Sequence, residues 1–352
     1  MKLPRPMVIL FGAGATRAAF SGGMPPPPLD TDFFDIAGQL TGRGTRRLAQ
    51  QVARDVFELY GRVTGIGLEQ YYRDIETRLE LSKFAKSKNR PKDWLVRTKN
   101  LQELVRRVLV HTTCDLDEGS AKPRCSGIHQ ALLARVKAGD TLITFNYDTV
   151  IEESMSESAT LWTPRGGYAV DASGITHDWA KKWFEKRGID KAEEAQVQLL
   201  KLHGSLNWVL YKTSKVRLKP RPYVVRAKKG KAVFDKAAIL PPGWHKRVDK
   251  NPYNALWQKA RTELEKCATL VIVGYSLPET DLIARALFLE ASRLRETKGS
   301  FLKELHVADI SESAKNRIVD LFVPALGPHG LVFRYSGAEQ LANAWSPKVV
   351  AT

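Results

Sequence analysis

Three polar side chains that are able to perform chemistry follow two short apolar runs of the chain. Asn146 and Asp148 come directly after residues 142–145, and His203 follows residues 199–202. A fixed amide can position water or a hydroxyl group, and a histidine with a pKa near neutrality can accept a proton. A carboxylate at the same place can hold the amide of a ligand. We therefore predict that Asn146, Asp148 and His203 are catalytic.

Two further apolar runs end in glycine turns. Residues 8–11 precede Gly-Ala-Gly at 12–14, and residues 270–273 precede Gly-Tyr-Ser at 274–276. A glycine turn between a strand and a helix presents backbone N–H groups to a phosphate. The complete G-x-G-x-x-G fingerprint is absent because Arg17 stands at the third glycine position. An ordinary strand-to-helix turn therefore remains the alternative interpretation of residues 12–14.

The four strand ends together favour a particular reaction. If the strands are parallel, their ends lie along one edge of the sheet and form a nucleotide pocket. The residue set favours attack at a sugar carbon over hydride transfer. Cleavage of the N-glycosidic bond of NAD releases nicotinamide as a neutral base, so the leaving group needs no general acid. The catalytic demand falls on the ribose, where positive charge develops.

Each of these assignments has a structural alternative. A histidine before a glycine at a strand end, such as His203, is often a satisfied structural residue. Asn146 and Asp148 also suit a turn or a helix cap, and Ser205 and Ser276 can cap helices or turns. The occurrence of all the motifs in one chain favours the catalytic interpretation.

The elements that must position these residues alternate between strands and helices. Five buried runs and a last strand around Val332 predict an α/β fold, with a doubly wound, Rossmann-like parallel sheet. We expect one domain over residues 1–352. Between the first two core strands, residues 38–138 read as a helical insertion, with residues 115–124 as a loop. The insertion contains apolar residues at helical spacing, namely Leu101, Leu104, Val105, Val108 and Leu109.

A second insertion, residues 206–250, is predicted to be a basic hairpin. Between Lys212 and Lys250 the chain carries thirteen Lys or Arg residues but only Asp235 and Asp249, which gives +11 of the total +17. This excess favours an acidic protein surface or a nucleic acid as partner. A solvated basic hairpin accounts for the same composition.

The composition also restricts the class of protein. With 352 residues and 43% apolar content the chain can bury a large core. The three cysteines contain no C-x-x-C pair, so they provide neither a disulfide framework nor a four-cysteine zinc site. No run reaches transmembrane length, and residues 7–11 are too short for a signal peptide. We expect a soluble, cytoplasmic protein that binds no metal and no membrane.

The four motifs occur in the order used by the sirtuin family. The sequence most resembles the bacterial sirtuin-like branch, in which Phe-Asn-Tyr-Asp, Leu-His-Gly-Ser and Gly-Tyr-Ser-Leu-Pro-x-x-Asp recur. The resemblance implies NAD as substrate, with Asn146 orienting ribose and water, Asp148 contacting nicotinamide and His203 acting as base. We predict that the following residues bind the dinucleotide: Gly12, Ala13, Gly14, Thr16, Arg17, Asp32, Phe33, Gly204, Ser205, Gly274, Tyr275, Ser276, Asp281 and Asp309.

The sequence departs from the family pattern at several positions. Its cysteines cannot form the four-cysteine zinc module of the family's protein deacetylases, and Phe145 replaces the usual Gln. The family's Asp-Phe-Arg element reads Asp32-Phe33-Phe34, so its arginine is missing or replaced, with Arg17 as one candidate. Asp32 either contacts a ribose or caps the next helix.

The resemblance implies a role in antiphage defence by abortive infection. In that branch, infection releases the hydrolysis of NAD to nicotinamide and ADP-ribose. We expect a homo-oligomer that a partner or an oligomeric switch keeps silent, with a HerA-type ATPase or helicase as a candidate partner. The alternatives are a non-catalytic subunit that binds NAD or ADP-ribose, an NAD-dependent deacylase or ADP-ribosyltransferase, and a nucleic-acid binder.

Overall fold

The structure is a computed structural model of the chain. It describes residues 3–22, 25–82, 84, 90–117, 120–157, 162–170, 195–211, 215–218, 226–228, 231–233, 238–240, 250, 252–278 and 281–346.

The apolar runs of the sequence become the strands of one parallel sheet. All five residues of the first strand, and all five of the strand that pairs with it at 269–273, are buried. Such continuous burial is typical of strands covered by helices on both faces. The described strands are β1 (Met7–Phe11), β2 (Cys114–Asp117), β3 (Ser120–Pro123), β4 (Thr141–Thr144), β5 (Gln198–Lys201), β6 (Gly204–Ser205), β7 (Trp208–Tyr211), β8 (Lys215–Leu218), β9 (Arg226–Lys228), β10 (Lys231–Val233), β11 (Ala238–Ile239), β12 (Thr269–Val273), β13 (Leu302–Ala308) and β14 (Leu326–Tyr335).

The central sheet has the strand order β14-β13-β12-β1-β4-β5, and every neighbouring pair is parallel. The chain runs from β1 outward to β4 and β5. It then returns to the other side of β1 with β12 and continues to β13 and β14. This reversal next to β1 creates the crevice in which open α/β sheets bind ligands, outside the carboxyl ends of the strands. The predicted Rossmann-like parallel sheet is confirmed.

Two groups of helices flank the sheet, and a third group forms a core of its own. α1, α6, α7 and α12 contact one another in one group, and α9, α10 and α11 form the second. The helices are α1 (Ala13–Ala19), α2 (Phe33–Gln39), α3 (Arg43–Tyr60), α4 (Leu68–Ser82), α5 (Arg90–Thr113), α6 (Gly127–Leu133), α7 (Val150–Glu157), α8 (Pro164–Gly167), α9 (Tyr253–Lys266), α10 (Leu282–Lys298), α11 (Glu312–Phe322) and α12 (Ala338–Trp345).

The third group comprises α2 to α5 and lies between β1 and β4 in sequence. Its buried apolar side chains form a cluster separate from that of the sheet. Leu101, Leu104 and Val108 of α5 are fully buried there, as their helical spacing predicts. Residues 115–124 were predicted to be a loop, but this prediction is wrong because β2 and β3 pair there as an antiparallel hairpin.

Most of the predicted basic hairpin lies outside the described residues. Within its described parts, β7 pairs with β8 and β9 pairs with β10, both antiparallel. None of the described helices combines the length and the apolar character that a membrane span requires. All three cysteines are free, and within the described ranges no three His, Cys, Asp or Glu side chains are grouped to hold a metal ion.

Candidate active site

A cavity of about 380 Å³ lies at the carboxyl ends of β1, β4, β5, β12 and β13. Its size falls within the range of small-molecule sites. Most of the sequence-predicted site residues line it, namely Ala13, Gly14, Thr16, Phe33, Asn146, Asp148, His203, Gly274, Tyr275, Ser276, Asp281 and Asp309. The remaining five do not line it, namely Gly12, Arg17, Asp32, Gly204 and Ser205.

Asn146 is held in a fixed orientation by the turn after β1. Its amide nitrogen donates to the carbonyl oxygen of Gly12 at 3.0 Å and to Thr16 Oγ1 at 3.2 Å. Its backbone N–H donates to Thr144 Oγ1 at 3.0 Å. Because both hydrogens of the amide group have partners, the amide oxygen is the atom that can accept a hydrogen bond from a ligand.

Asp148 combines a structural contact with a position in the cavity wall. One carboxylate oxygen accepts the backbone N–H of Val150, the first residue of α7, at 3.1 Å, which is the turn contact that its alternative assignment to a turn or cap includes. The other oxygen accepts the hydroxyl of Thr16 at 3.1 Å. The residue is only 5% exposed. Thr16 thus connects Asn146 to Asp148 through one hydroxyl group.

His203 lies in an aromatic environment just after β5. It is 5% exposed, and its ring centroid is 5.0 Å from that of Phe145 and 6.1 Å from those of Tyr147 and Trp257. The next residue, Gly204, has a φ of +83°, and a Cβ there would overlap the carbonyl oxygen of Ala238. Gly204 is therefore required by the backbone that turns His203 toward the cavity.

The two glycine turns pack directly against each other. A Cβ at Gly12 would overlap the carbonyl oxygen of Gly274, and one at Gly14 would lie 2.9 Å from the same atom. The backbone N–H of Gly12 donates to Val273 at 2.9 Å, and that of Gly14 donates to Gly274 at 2.8 Å. The glycines therefore permit close packing of the turns, and these two N–H groups already have protein acceptors.

Residues 140–303 match the family model of the SIR2-like domain. This segment contains Asn146, Asp148 and His203, whereas the glycine turn after β1 precedes it. No curated relative matches the sequence.

Several solved Sir2 structures are similar to this chain. A complex of Sir2 with a p53 peptide and NAD+ is 12% identical, covers 97% of this chain and 91% of that chain, and has a TM-score of 0.36. Sir2 bound to an acetylated peptide is 12% identical, and the alignment covers 97% of this chain and 91% of that chain with a TM-score of 0.35. Sir2 in complex with the inhibitor EX-527, 2'-O-acetyl-ADP-ribose and a deacetylated p53 peptide is also 12% identical. That alignment covers 97% of this chain and 92% of that chain with a TM-score of 0.37.

Arg17 and Asp32 form an ion pair that holds the proline-rich loop. Their side chains are 2.7 Å apart, and Arg17 also donates to the carbonyl oxygen of Pro27 at 2.7 Å. Asp32 accepts the backbone N–H of Leu29 at 2.7 Å. Pro27 and Leu29 line the cavity. Arg17 and Asp32 thus support the cavity wall from behind.

Asp281 and Asp309 line the cavity after β12 and β13. Asp281 caps α10 by accepting the N–H of Ala284 at 3.3 Å, and it accepts the hydroxyl of Tyr275 at 3.1 Å. Burial and the nearby Asp281 raise the pKa of the Tyr275 phenol well above its usual value, so the hydroxyl stays a donor. Burial also raises the pKa of the Asp309 carboxyl.

Sequence reasoning did not identify the part of the wall that comes from the helical insertion. Asp30 accepts the backbone N–H of Glu69 at 2.7 Å, which fixes the start of α4 against the proline-rich loop. A Cβ at Gly67 would overlap the Asp30 carboxylate. The glycine before α4 is therefore the feature of the sequence that indicates this close contact. The residues that the insertion and Asp30 contribute are Asp30, Leu68, Glu69, Val105 and Leu109.

Proposed function

We propose that this protein hydrolyses NAD to nicotinamide and ADP-ribose. The observation that carries the proposal is that Asn146 and Asp148, from the end of β4, and His203, from the end of β5, line the same cavity. An amide, a carboxylate and an imidazole thus belong to the wall of one cavity. The match of residues 140–303 to the SIR2-like domain supports the choice of NAD.

In the proposed reaction a water oxygen attacks C1′ of the nicotinamide ribose. The N-glycosidic bond breaks, and its electron pair stays on the nicotinamide nitrogen, which becomes neutral. His203 accepts the proton that the water loses. The amide oxygen of Asn146 accepts a hydrogen bond from the water or a ribose hydroxyl, and Asp148 accepts one from the carboxamide of nicotinamide.

The charges around the cavity support a reaction in which positive charge develops on the ribose. Five carboxylates line it, and the described lining residues include no Lys or Arg. These carboxylates belong to Asp30, Glu69, Asp148, Asp281 and Asp309. A negative lining favours the cationic nicotinamide ring and the positive charge that develops on the ribose. The backbone N–H of Ala13 and the hydroxyl group of Ser276, both in residues that line the cavity, are the donors that we propose for the diphosphate.

Nicotinamide release from NAD by the purified protein tests the proposal. We expect His203→Ala to lower the rate by about 10²- to 10⁴-fold, the usual range for the loss of a general base. His111→Ala is the matched control because His111 is half-buried on α5 and does not line the cavity. Equal, measurable rates for wild type and His203→Ala would contradict the catalytic assignment, and if both proteins are silent the assay is repeated with a candidate partner or phage extract. Tight NAD binding, with NAD intact after hours, would instead favour a non-catalytic binding subunit.

We also propose, from the sequence resemblance alone, that NAD hydrolysis serves antiphage defence. A homo-oligomer and a HerA-type partner belong to the same proposal. Consumption of an acetylated peptide or labelling of a protein acceptor would favour a deacylase or a transferase instead.

A further inference from the structure

A buried ion pair lies beneath the candidate catalytic residues. Lys201 is the last residue of β5, two positions before His203, and its side chain is 0% exposed. Its ammonium group lies 2.8 Å from a carboxylate oxygen of Glu152 on α7. The ammonium group also donates to the main-chain oxygen of Asp148. Lys201 of β5 thus holds the backbone of the loop that follows β4.

The same ion pair begins a hydrogen-bond network that returns to the loop after His203. Glu152 accepts the hydroxyl of Tyr168 at 3.0 Å, and the Asn207 amide donates to that hydroxyl at 3.2 Å. Ser205 donates to the Asn207 amide oxygen at 2.6 Å. Ser205, which the sequence suggested as a ligand contact, therefore belongs to this network. The network connects α7 to the chain two residues after His203.

Backbone contacts join the two loops on the same side. The N–H of Leu206 donates to the carbonyl oxygen of Tyr147 at 2.9 Å, and the N–H of Leu202 donates to that of Thr144 at 3.0 Å. The side chain of Lys201 adds a contact to the main-chain oxygen of Asp148, which lies between these backbone bonds and the start of α7. Asp148 is thereby fixed relative to the strand that carries His203.

We infer that Lys201 is a positioning residue for NAD hydrolysis, an inference that rests on the function proposed above. A role in stability alone is a poor explanation for the lysine, because well-packed apolar residues often replace a buried ion pair without loss of stability. The bond from Lys201 to Asp148 instead sets the distance between the groups that act on nicotinamide and on water. A displacement of about 1 Å at such a site costs roughly 100-fold in rate.

The test removes the whole ion pair, so that no buried charge is left unpaired. In Lys201→Met/Glu152→Leu we expect only a modest fall in melting temperature, because the buried Tyr168 hydroxyl loses its acceptor. We expect kcat for nicotinamide release to fall by about 10- to 100-fold, with a much smaller change in KM. Arg295→Met is the matched control. Arg295 is equally buried and donates to the carbonyl oxygens of Leu264 and Cys267, outside the cavity. Its loss should lower the melting temperature but leave kcat of the folded enzyme unchanged.

A second variant keeps the inference testable if the double variant fails to fold. Glu152→Gln removes the counter-charge of Lys201 and should lower the melting temperature. It retains an acceptor for Lys201 and leaves the bond to Asp148 in place, so kcat of the folded enzyme should stay near that of wild type. Wild-type kcat in the double variant would overturn the inference. The single variant Lys201→Met loses the bond to Asp148, so kcat of its folded fraction should fall by about 10- to 100-fold. An equal loss of kcat in Glu152→Gln would also overturn the inference. A wild type that stays inactive both alone and with a HerA-type partner and phage extract would contradict the proposed function. An active wild type with an unaffected double variant would contradict only the role of Lys201.

Discussion

Thr16 joins the two polar side chains that follow β4. Its hydroxyl oxygen accepts the amide of Asn146 at 3.2 Å, and its hydrogen is donated to Asp148 at 3.1 Å. The direction of these bonds is fixed, because the amide nitrogen is a donor only and an ionised carboxylate is an acceptor only. The hydroxyl therefore sets the orientation of both groups. The sequence suggested Thr16 as a dinucleotide contact, and the structure adds this bridging arrangement.

Replacement of Thr16 by valine should separate the bridge from the shape of the side chain. Thr16→Val removes two hydrogen bonds, one of them to a carboxylate, at almost constant volume. A hydrogen bond to a charged group contributes about 1.5–3 kcal/mol, so we expect nicotinamide release to slow by roughly 10- to 100-fold. Thr16→Ser keeps the hydroxyl group and should retain most of the rate. A valine variant as fast as the serine variant would show that the bridge does not contribute.

The sequence predicted the places of Asn146, Asp148 and His203 because strand ends in a parallel sheet share one edge. It did not distinguish the neighbours that line the cavity from those that bond elsewhere in the protein. The Ser205 hydroxyl bonds to Asn207, and Arg17 bonds to Pro27 and Asp32. Side-chain direction after a turn depends on backbone angles such as the φ of +83° at Gly204, and residue types alone do not fix them.

The central sheet was predictable from the sequence because buried parallel strands are continuous apolar runs. The β2–β3 hairpin was not, because each of its strands has only four residues and contains Asp, Lys or Pro, which are rare in strands. The contribution of α4 and α5 to the cavity wall was also missed. Their apolar spacing indicates a buried face, but not which part of the distant sheet that face approaches.

The packing of the two glycine turns leads to a prediction about stability. Gly12→Ala places a methyl group where the carbonyl oxygen of Gly274 lies, and both atoms belong to rigid backbone turns. Overpacking of this kind typically costs about 1–3 kcal/mol. We therefore expect a lower free energy of unfolding in urea, together with weaker NAD hydrolysis.

Gly38→Ala is the control for this substitution. Gly38 lies in α2, and a Cβ there meets nothing within 4 Å. Alanine at an unstrained glycine position stabilises by about 0.4–1 kcal/mol. If Gly12→Ala proved as stable as Gly38→Ala, the close approach of the turns would not constrain residue 12.

The net charge of the chain and the charge of the cavity lining have opposite signs. The chain carries a net charge of +17, yet carboxylates supply the charged side chains of the described cavity lining. The positive excess is concentrated instead between Lys212 and Lys250. That segment therefore differs in charge from the lining of the candidate site. The nucleic-acid contact and the acidic protein partner both stay predictions.

A cell containing an active NAD hydrolase would exhaust its own NAD, so the proposed function requires that activity be withheld until a signal arrives. We expect bacteria that express the chain with a HerA-type partner to keep normal NAD levels before phage infection and to lose NAD after it. Cells with His203→Ala should keep their NAD after infection, and cells with His111→Ala should lose it as wild type does. NAD is measured in extracts taken at intervals after infection. Equal NAD in infected wild-type and His203→Ala cells, with activity present in the purified enzyme, would separate the reaction from the defence role and leave only the former standing.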